Sequence, residues 1–179
     1  MTIERTDFQR LLFRTTFCTM ACDGHIDERE INEIKLMNKS STYFKGIDLT
    51  DELEELLKNL QANGKHIVDE LFDTLAKLQL STVMELLILE VAFRVAHADK
   101  KEDENEIKFL RFLRSKLRVH DQIIHDRFGP VKYLFDKDYS QDIIKTETRN
   151  DFFAAVTIPE FKDLAVVDFS QFNNDNLGD

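Results

Sequence analysis

The chain has 179 residues, of which 42% are hydrophobic and 32% charged, with only 5 Gly and 2 Pro. This composition is typical of a folded helical protein with its own core, and it excludes a chain that is disordered throughout. The formal charge of −10 and the pI near 5.0 disfavour nucleic acid or an anionic membrane surface as the main partner. They favour cations or basic protein surfaces.

The start of the chain lacks the basic and apolar regions of a signal peptide, and no apolar run is long enough to span a bilayer. We therefore expect a soluble, cytoplasmic protein that does not cross a membrane. Cys18 and Cys22 are four positions apart, so they share one face of a helix, and in a reducing cytosol they would be thiols.

Apolar residues at helical spacing predict an all-α bundle of about seven helices. Their approximate bounds, in chain order, are 6–21, 28–38, 50–63, 66–78, 81–98, 104–117 and 120–128. Thr50 and Ser81 are predicted N-caps, while Gly64 and Gly129 are predicted to follow helix ends. The fifth helix is apolar on nearly all sides, which predicts a central position.

An acidic stretch between the first two helices occurs again 76 positions later, between the fifth and the sixth. Asp23 aligns with Asp99, Asp27 with Asp103, Glu28 with Glu104, and Glu30 with Glu106. Apolar residues on both sides also match, among them Leu11 with Leu87, Phe17 with Phe93 and Ile31 with Ile107. The chain therefore contains a pseudo-repeated helix–acidic loop–helix unit, with a two-helix insert between the copies.

The composition changes after the seventh helix, which divides the chain into a helical domain, 1–128, and an extension, 129–179. Residues 120–179 hold 12 acids and 6 bases, against 22 and 18 in residues 1–119. The extension is also rich in Phe, so it is expected to pack on the helical domain or on a partner protein. Within it, residues 164–167 are a candidate short β-strand, and Pro159 interrupts the structure before them.

The first acidic stretch resembles the pattern of the TerB-like family, named for a protein of bacterial tellurite-resistance operons. That pattern is a small residue, Asp-Gly, a hydrophobic residue, then a capping residue with Glu three positions on. It is supplied by Ala21, Asp23, Gly24, Ile26, Asp27 and Glu30. In the second copy Lys100 replaces Gly and Glu102 replaces the hydrophobic residue; the resemblance covers roughly residues 5–128.

The resemblance implies a helical module of bacterial stress responses in which acidic residues form a divalent-cation site. The candidate ligands are Asp23, Asp27, Glu30, Asp99, Asp103 and Glu106. Six carboxylates brought together would favour a hard cation, namely calcium, magnesium or manganese. Participation of His25 or His97 would favour zinc instead.

A second interpretation of the same acids is purely structural. Asp27 with Glu30, and Asp103 with Glu106, have the spacing of a capping box, in which each side chain bonds to a backbone amide at the start of a helix. A carboxylate used in this way has less to offer a metal. Asp23 and Asp99 lie outside both capping boxes, so they are the residues that this interpretation explains least.

The acidic stretches and the residues beside them suggest two other metal sites and one histidine contact. The first acidic stretch is similar to the latter half of an EF-hand loop, but Thr19 and Ala21 stand where two calcium ligands would be needed. Cys18, Cys22 and His25 are a possible zinc triple, although thiols on an apolar face are more often small core residues. His97, at the end of an apolar helix, is expected to bond to a carboxylate or to the backbone.

The sequence offers little for catalysis, because it has no nucleophile elbow, no Gly-rich phosphate loop and no His-x-x-x-His pair. Glu90 and Arg94, four positions apart, are predicted to form an ion pair. We therefore expect a non-enzymatic module that binds a divalent cation or a protein partner through its acidic loops. The alternative is a metal-free interaction or scaffold domain that uses its acidic surface and its extension.

Overall fold

Helices account for most of the residues that the computed structural model describes, and no strand occurs among those residues. The described residues are 3–22, 29, 33, 36, 37, 43–47, 49–98, 104–131 and 134. Five helices have defined bounds: α1 Arg5–Ala21, α2 Thr50–Lys77, α3 Thr82–Ala96, α4 Glu104–Lys116 and α5 Asp121–Phe128. Residues 29, 33, 36 and 37 also have helical backbone. The all-α prediction is confirmed for this part of the chain, and the candidate strand 164–167 lies outside it.

Helix α1 is the most deeply enclosed element, and it contacts α2, α3 and α4. Eleven of its residues are buried, including Thr15, Thr16 and Thr19. Each of these threonines donates its hydroxyl to the carbonyl four residues earlier, at 2.8–2.9 Å. The buried polar groups are thereby satisfied within the helix, which allows α1 to pack on several sides at once.

Helix α3 packs along α1 but is less enclosed than its composition predicts. Ser81 caps it as expected, accepting a hydrogen bond from the amide of Met84 at 3.3 Å. Ile88, Leu89 and Val91 are fully buried, whereas Val83 is 65% exposed. Met84, Leu86, Leu87 and Phe93 are partly buried against the core, so α3 is mostly covered, and α1, with eleven buried residues, is the more enclosed of the two helices.

Helix α2 is continuous over 28 residues, so the predicted division into helices 50–63 and 66–78 is wrong. Gly64 lies inside it. A single glycine costs a helix only about 1 kcal/mol, and the apolar residues on either side of Gly64 are buried at one helical spacing. The N-cap is Leu49 rather than Thr50, and it makes no side-chain capping bond. None of the helices in the described ranges has both the length and the apolar composition of a membrane span.

The C-terminal pair of helices follows the predicted bounds closely. Helix α4 buries Phe109, Leu110 and Leu113, and α5 buries Ile124. Helix α5 ends at Gly129, which has a φ of +78° and a backbone N–H that donates to the carbonyl of His125. A left-handed residue at this position ends the helix without a Cβ penalty, as predicted.

Two long-range polar contacts fix the connections that follow residue 37 and α4. The side-chain amide of Gln9, in α1, donates to the carbonyls of Tyr43 and Lys45 at 2.8 and 3.2 Å. The carboxylate of Glu85, in α3, accepts from the backbone amides of Arg118 and Val119 at 2.8 and 2.5 Å. Both side chains are buried, with exposures of 5% and 4%. A buried side chain of α1 thus binds the backbone of one non-helical connection, and a buried side chain of α3 binds the backbone of the other.

Candidate functional site

Five of the six predicted cation ligands lie outside the described residues: Asp23, Asp27, Glu30, Asp99 and Asp103. The sixth, Glu106, is in the first turn of α4 and is 7% exposed. A buried carboxylate in this position interacts favourably with the positive end of the helix dipole. The first predicted capping box, Asp27 with Glu30, lies outside the described residues, and so does Asp103 of the second.

His97 follows directly after α3 and takes the backbone partner that the sequence suggests. Its Nδ1–H donates to the carbonyl of Phe93 at 2.8 Å, and the two rings meet edge to face at 6.2 Å. This bond fixes the tautomer of the neutral ring, with the proton on Nδ1 and the lone pair on Nε2. Nε2 is therefore the atom through which His97 would bind any metal.

Cys18 and Cys22 are both buried, as the core-residue interpretation expects, with exposures of 0% and 1%. Burial raises the pKa of the Cys18 thiol far above its usual range. A thiol must lose its proton to bind zinc, so this environment opposes metal binding by Cys18. His25, the third member of the possible zinc triple, lies outside the described residues.

Among the described residues, a polar network links four parts of the chain through Glu33, Tyr43, Glu90, Arg94 and Arg127, here named the Glu90 cluster. The hydroxyl of Tyr43 donates to Glu90 at 2.6 Å, and Nη2 of Arg127 donates to the other oxygen of Glu90 at 2.7 Å. Arg94 pairs with Glu33 at 2.7 Å. In place of the predicted ion pair with each other, Glu90 and Arg94 each bond to partners on other segments, while the charge of Arg94 still acts on Glu90.

Protonation states in the Glu90 cluster are fixed by these contacts. Burial raises the pKa of Glu90, but the hydrogen bonds from Tyr43 and Arg127 outweigh it, so the net pKa is lowered. Burial, together with the bond to Glu90, raises the pKa of Tyr43 to about 12. Near neutral pH the carboxylate of Glu90 is thus an anion and the phenol of Tyr43 is protonated. These protonation states maintain the hydrogen bond that joins the two residues.

A cavity of about 550 Å³ lies between the N-terminal half of α1 and the two ends of α2. It is lined by Ile3, Glu4, Asp7, Arg10, Leu11, Arg14, Glu52, Glu55, Thr74 and Leu78. Glu52 and Glu55 lie near the start of α2, and Thr74 and Leu78 lie at its end, with Gly64 between them in the sequence.

The charges in this cavity are largely paired with one another. Glu52 is 7% exposed and forms a hydrogen-bonded ion pair with Arg14, while Arg10 lies 3.9 Å from the same carboxylate. Burial lowers the pKa of Arg14, but the bond to Glu52 and the charges of Glu52 and Glu55 outweigh it and raise the net pKa. The paired charges join α1 to α2.

Among the residues that the structure describes, no group of three or more His, Cys, Asp or Glu side chains is placed to hold a metal ion. Comparisons with models of protein families, with curated proteins and with solved structures find no match to this chain.

Four residues with clear structural roles were not singled out by the sequence: Gln9, Glu33, Tyr43 and Glu85. Gln9 and Glu85 carried a usable signal, because each is a polar residue at the same place in an apolar helix, 76 positions apart. Tyr43 and Glu33 had no comparable signal, since their partners are distant in the sequence.

Proposed function

We propose that this chain is a non-enzymatic, TerB-like stress-response module that binds a divalent cation through its two acidic loops, residues 23–30 and 99–106. The proposed ligands are the carboxylates of Asp23, Asp27, Glu30, Asp99, Asp103 and Glu106. Calcium, magnesium and manganese match oxygen ligands of this kind. The proposal depends on the two loops being equivalent parts of one duplicated unit.

The strongest support for that equivalence is the burial pattern of α1 and α3. All seven buried positions of α3, moved back by 76 places, coincide with buried positions of α1. The pairs are Gln9 with Glu85, Leu12 with Ile88, Phe13 with Leu89, Thr15 with Val91, Thr16 with Ala92, Thr19 with Val95, and Met20 with Ala96. The helix ends agree to within one residue, since α1 ends at Ala21 and α3 ends at Ala96, which aligns with Met20.

A second line of support comes from the contacts of Gln9 and Glu85. Gln9 bonds to the backbone at Tyr43, and Glu85 bonds to the backbone at Val119. Tyr43 and Val119 are themselves 76 positions apart. In both proposed units, therefore, aligned residues of the first helix, Gln9 and Glu85, bond to the backbone of aligned residues in a later connection, Tyr43 and Val119. Two units that conserve this internal contact would also place their acidic loops at equivalent positions.

The decisive experiment is thermal unfolding of the full chain with calcium, magnesium, manganese or zinc added one at a time. A ligand of the folded state at 100 times its Kd stabilises by about 2.7 kcal/mol. For a protein of this size, that corresponds to a rise in Tm of roughly 5–10 °C. The variant Asp23→Asn/Asp99→Asn should lose this rise, because these two acids have the least structural explanation.

A matched control keeps the number of removed charges constant. Asp7→Asn/Asp51→Asn removes two exposed first-turn carboxylates of α1 and α2, outside the acidic loops, and should keep the full rise in Tm. Absence of a shift with all four cations, together with no bound metal in protein purified without chelator, would refute the cation proposal.

The alternative is a metal-free scaffold, favoured by the acidic, Phe-rich composition of residues 129–179. A scaffold would show no cation-dependent shift. It would bind a protein partner and lose that binding when residues 131–179 are deleted. The two functions are therefore distinguished by the same set of proteins.

A further inference from the structure

The segment from the second turn of α4 to the connection before α5 is basic, in contrast to the protein as a whole. Residues 108–119 contain five Lys or Arg and no Asp or Glu, in a chain with a formal charge of −10. Residues 135–179 contain ten acids and four bases, a net of −6. Two oppositely charged segments thus follow one another, separated by α5.

Two of the five bases, Lys116 and Arg118, lie at the end of α4 and in the connection that follows it, and we name them the basic strip. Arg118 is exposed, and its backbone amide is held by Glu85, so the strip has a fixed position on the domain. The ammonium of Lys116 lies 5.9 Å from the ring centroid of Phe112, which combines positive charge with aromatic surface. Arg114, by contrast, is 14% exposed and is bonded internally to Leu117, Val119 and Asp121.

The extension follows α5, and α5 begins three residues after Arg118. After α5, Leu134 is 3% exposed and its amide donates to Val131, so the start of the extension is anchored on the core. Helix α5 has eight residues and is about 12 Å long, a distance that about four extended residues can cover. Residues 135–179 are therefore long enough to return along α5 to the strip, and their attachment gives a high effective concentration there.

We propose that residues 135–179 dock on the basic strip of their own chain, with acidic side chains against Lys116 and Arg118 and with phenylalanines beside Phe112. The charge complementarity, the anchored start and the short distance all support this occupant over a separate molecule. The proposal is independent of cation binding, because neither residue of the strip belongs to the acidic loops.

The test is limited proteolysis of the full chain by chymotrypsin, which cleaves after aromatic residues, with mass spectrometry to follow cleavage after Phe152 and Phe153. Cleavage of a segment that opens and closes rapidly reports the population of the open form. Lys116→Gln/Arg118→Gln should raise the cleavage rate about three- to tenfold at about 20 mM salt, since it removes two ion pairs that are only weakly screened. At about 500 mM salt, wild type and variant should converge.

The matched control is Lys58→Gln/Lys77→Gln, which removes two exposed bases from α2 and should leave the rate unchanged. A complementary variant, Asp136→Asn/Asp138→Asn/Asp142→Asn, should raise the rate as the strip variant does. Combining the two sets should add little, because both disrupt the same contact. Equal unfolding midpoints would show that the helical domain is intact.

Several results would overturn the proposal. Among them are wild-type cleavage rates in the strip variant, an equal increase in the α2 control, and additive effects of the two variant sets. Protection that grows with protein concentration would also overturn it, since the occupant would then be a second copy of the chain.

Discussion

Replacement of Glu85 provides the sharpest test of how this fold is held together. Its carboxylate is 4% exposed and accepts two backbone hydrogen bonds, from Arg118 and Val119. Hydrogen bonds to a charged group contribute about 1.5–3 kcal/mol each. The alanine variant also relieves the desolvation cost of the buried charge, so we expect a net loss of about 2–4 kcal/mol. That would be a large part of the free energy of unfolding of a typical domain.

Urea denaturation measures this loss, and an unchanged m-value would show that the same surface is exposed on unfolding. Glu85→Gln keeps the shape and should cost less than Glu85→Ala. Gln9→Ala removes two neutral bonds at the equivalent position and should cost about 0.5–2 kcal/mol. The control is Glu104→Ala, a first-turn glutamate that is 83% exposed, with an expected cost of about 0.5 kcal/mol. A loss below about 1 kcal/mol for Glu85→Ala, or a larger loss for Gln9→Ala, would refute the reasoning.

Two further predictions concern titration and reactivity. Tyr43 has its pKa raised to about 12 in the folded protein, so its contribution to stability is complete below pH 10 and is lost as the pH rises from 10 to 12. Ultraviolet titration should show one tyrosine ionising late, and Tyr43→Phe should remove that step and cost about 0.5–1.5 kcal/mol; early ionisation of every tyrosine would contradict the contact with Glu90. Cys18 and Cys22 should react with a thiol reagent only on unfolding, so their rate should follow the unfolded population in urea. Rapid reaction of native protein would show that this part of the core opens locally.

The sequence predicted helices well where a local signal marks their ends. Ser81 starts a helix through its side-chain hydroxyl, and Gly129 ends one through its positive φ. Both were placed correctly. Gly64 was wrongly predicted to follow a helix end, because burial of the apolar residues on both sides of it outweighs its low helix propensity. Whether a glycine ends a helix or lies inside one depends on packing that no short window of sequence contains.

Side-chain partners were harder to predict than helices. Glu90 and Arg94 have ideal spacing for a pair within one helix, yet Tyr43, Arg127 and Glu33 bind them instead. Spacing along a helix indicates only which partners within that helix are in reach. The fold also places side chains from distant segments beside Glu90 and Arg94. For the candidate site, the sequence alone indicates the acidic loops, and of their six proposed ligands the structure describes Glu106.

The contacts of Gln9 and Glu85 have opposite polarity, although each side chain binds the backbone of a non-helical connection. Gln9 donates to carbonyls, whereas Glu85 accepts from amides. A carboxylate only accepts, so Gln9→Glu would place a negative charge against the carbonyl oxygens of Tyr43 and Lys45, with a buried group left unsatisfied at a cost of about 1–3 kcal/mol. A side-chain amide has both a donor and an acceptor, so Glu85→Gln could still accept from the amide of Val119. Exchange of the two side chains is therefore tolerated in α3 and penalised in α1.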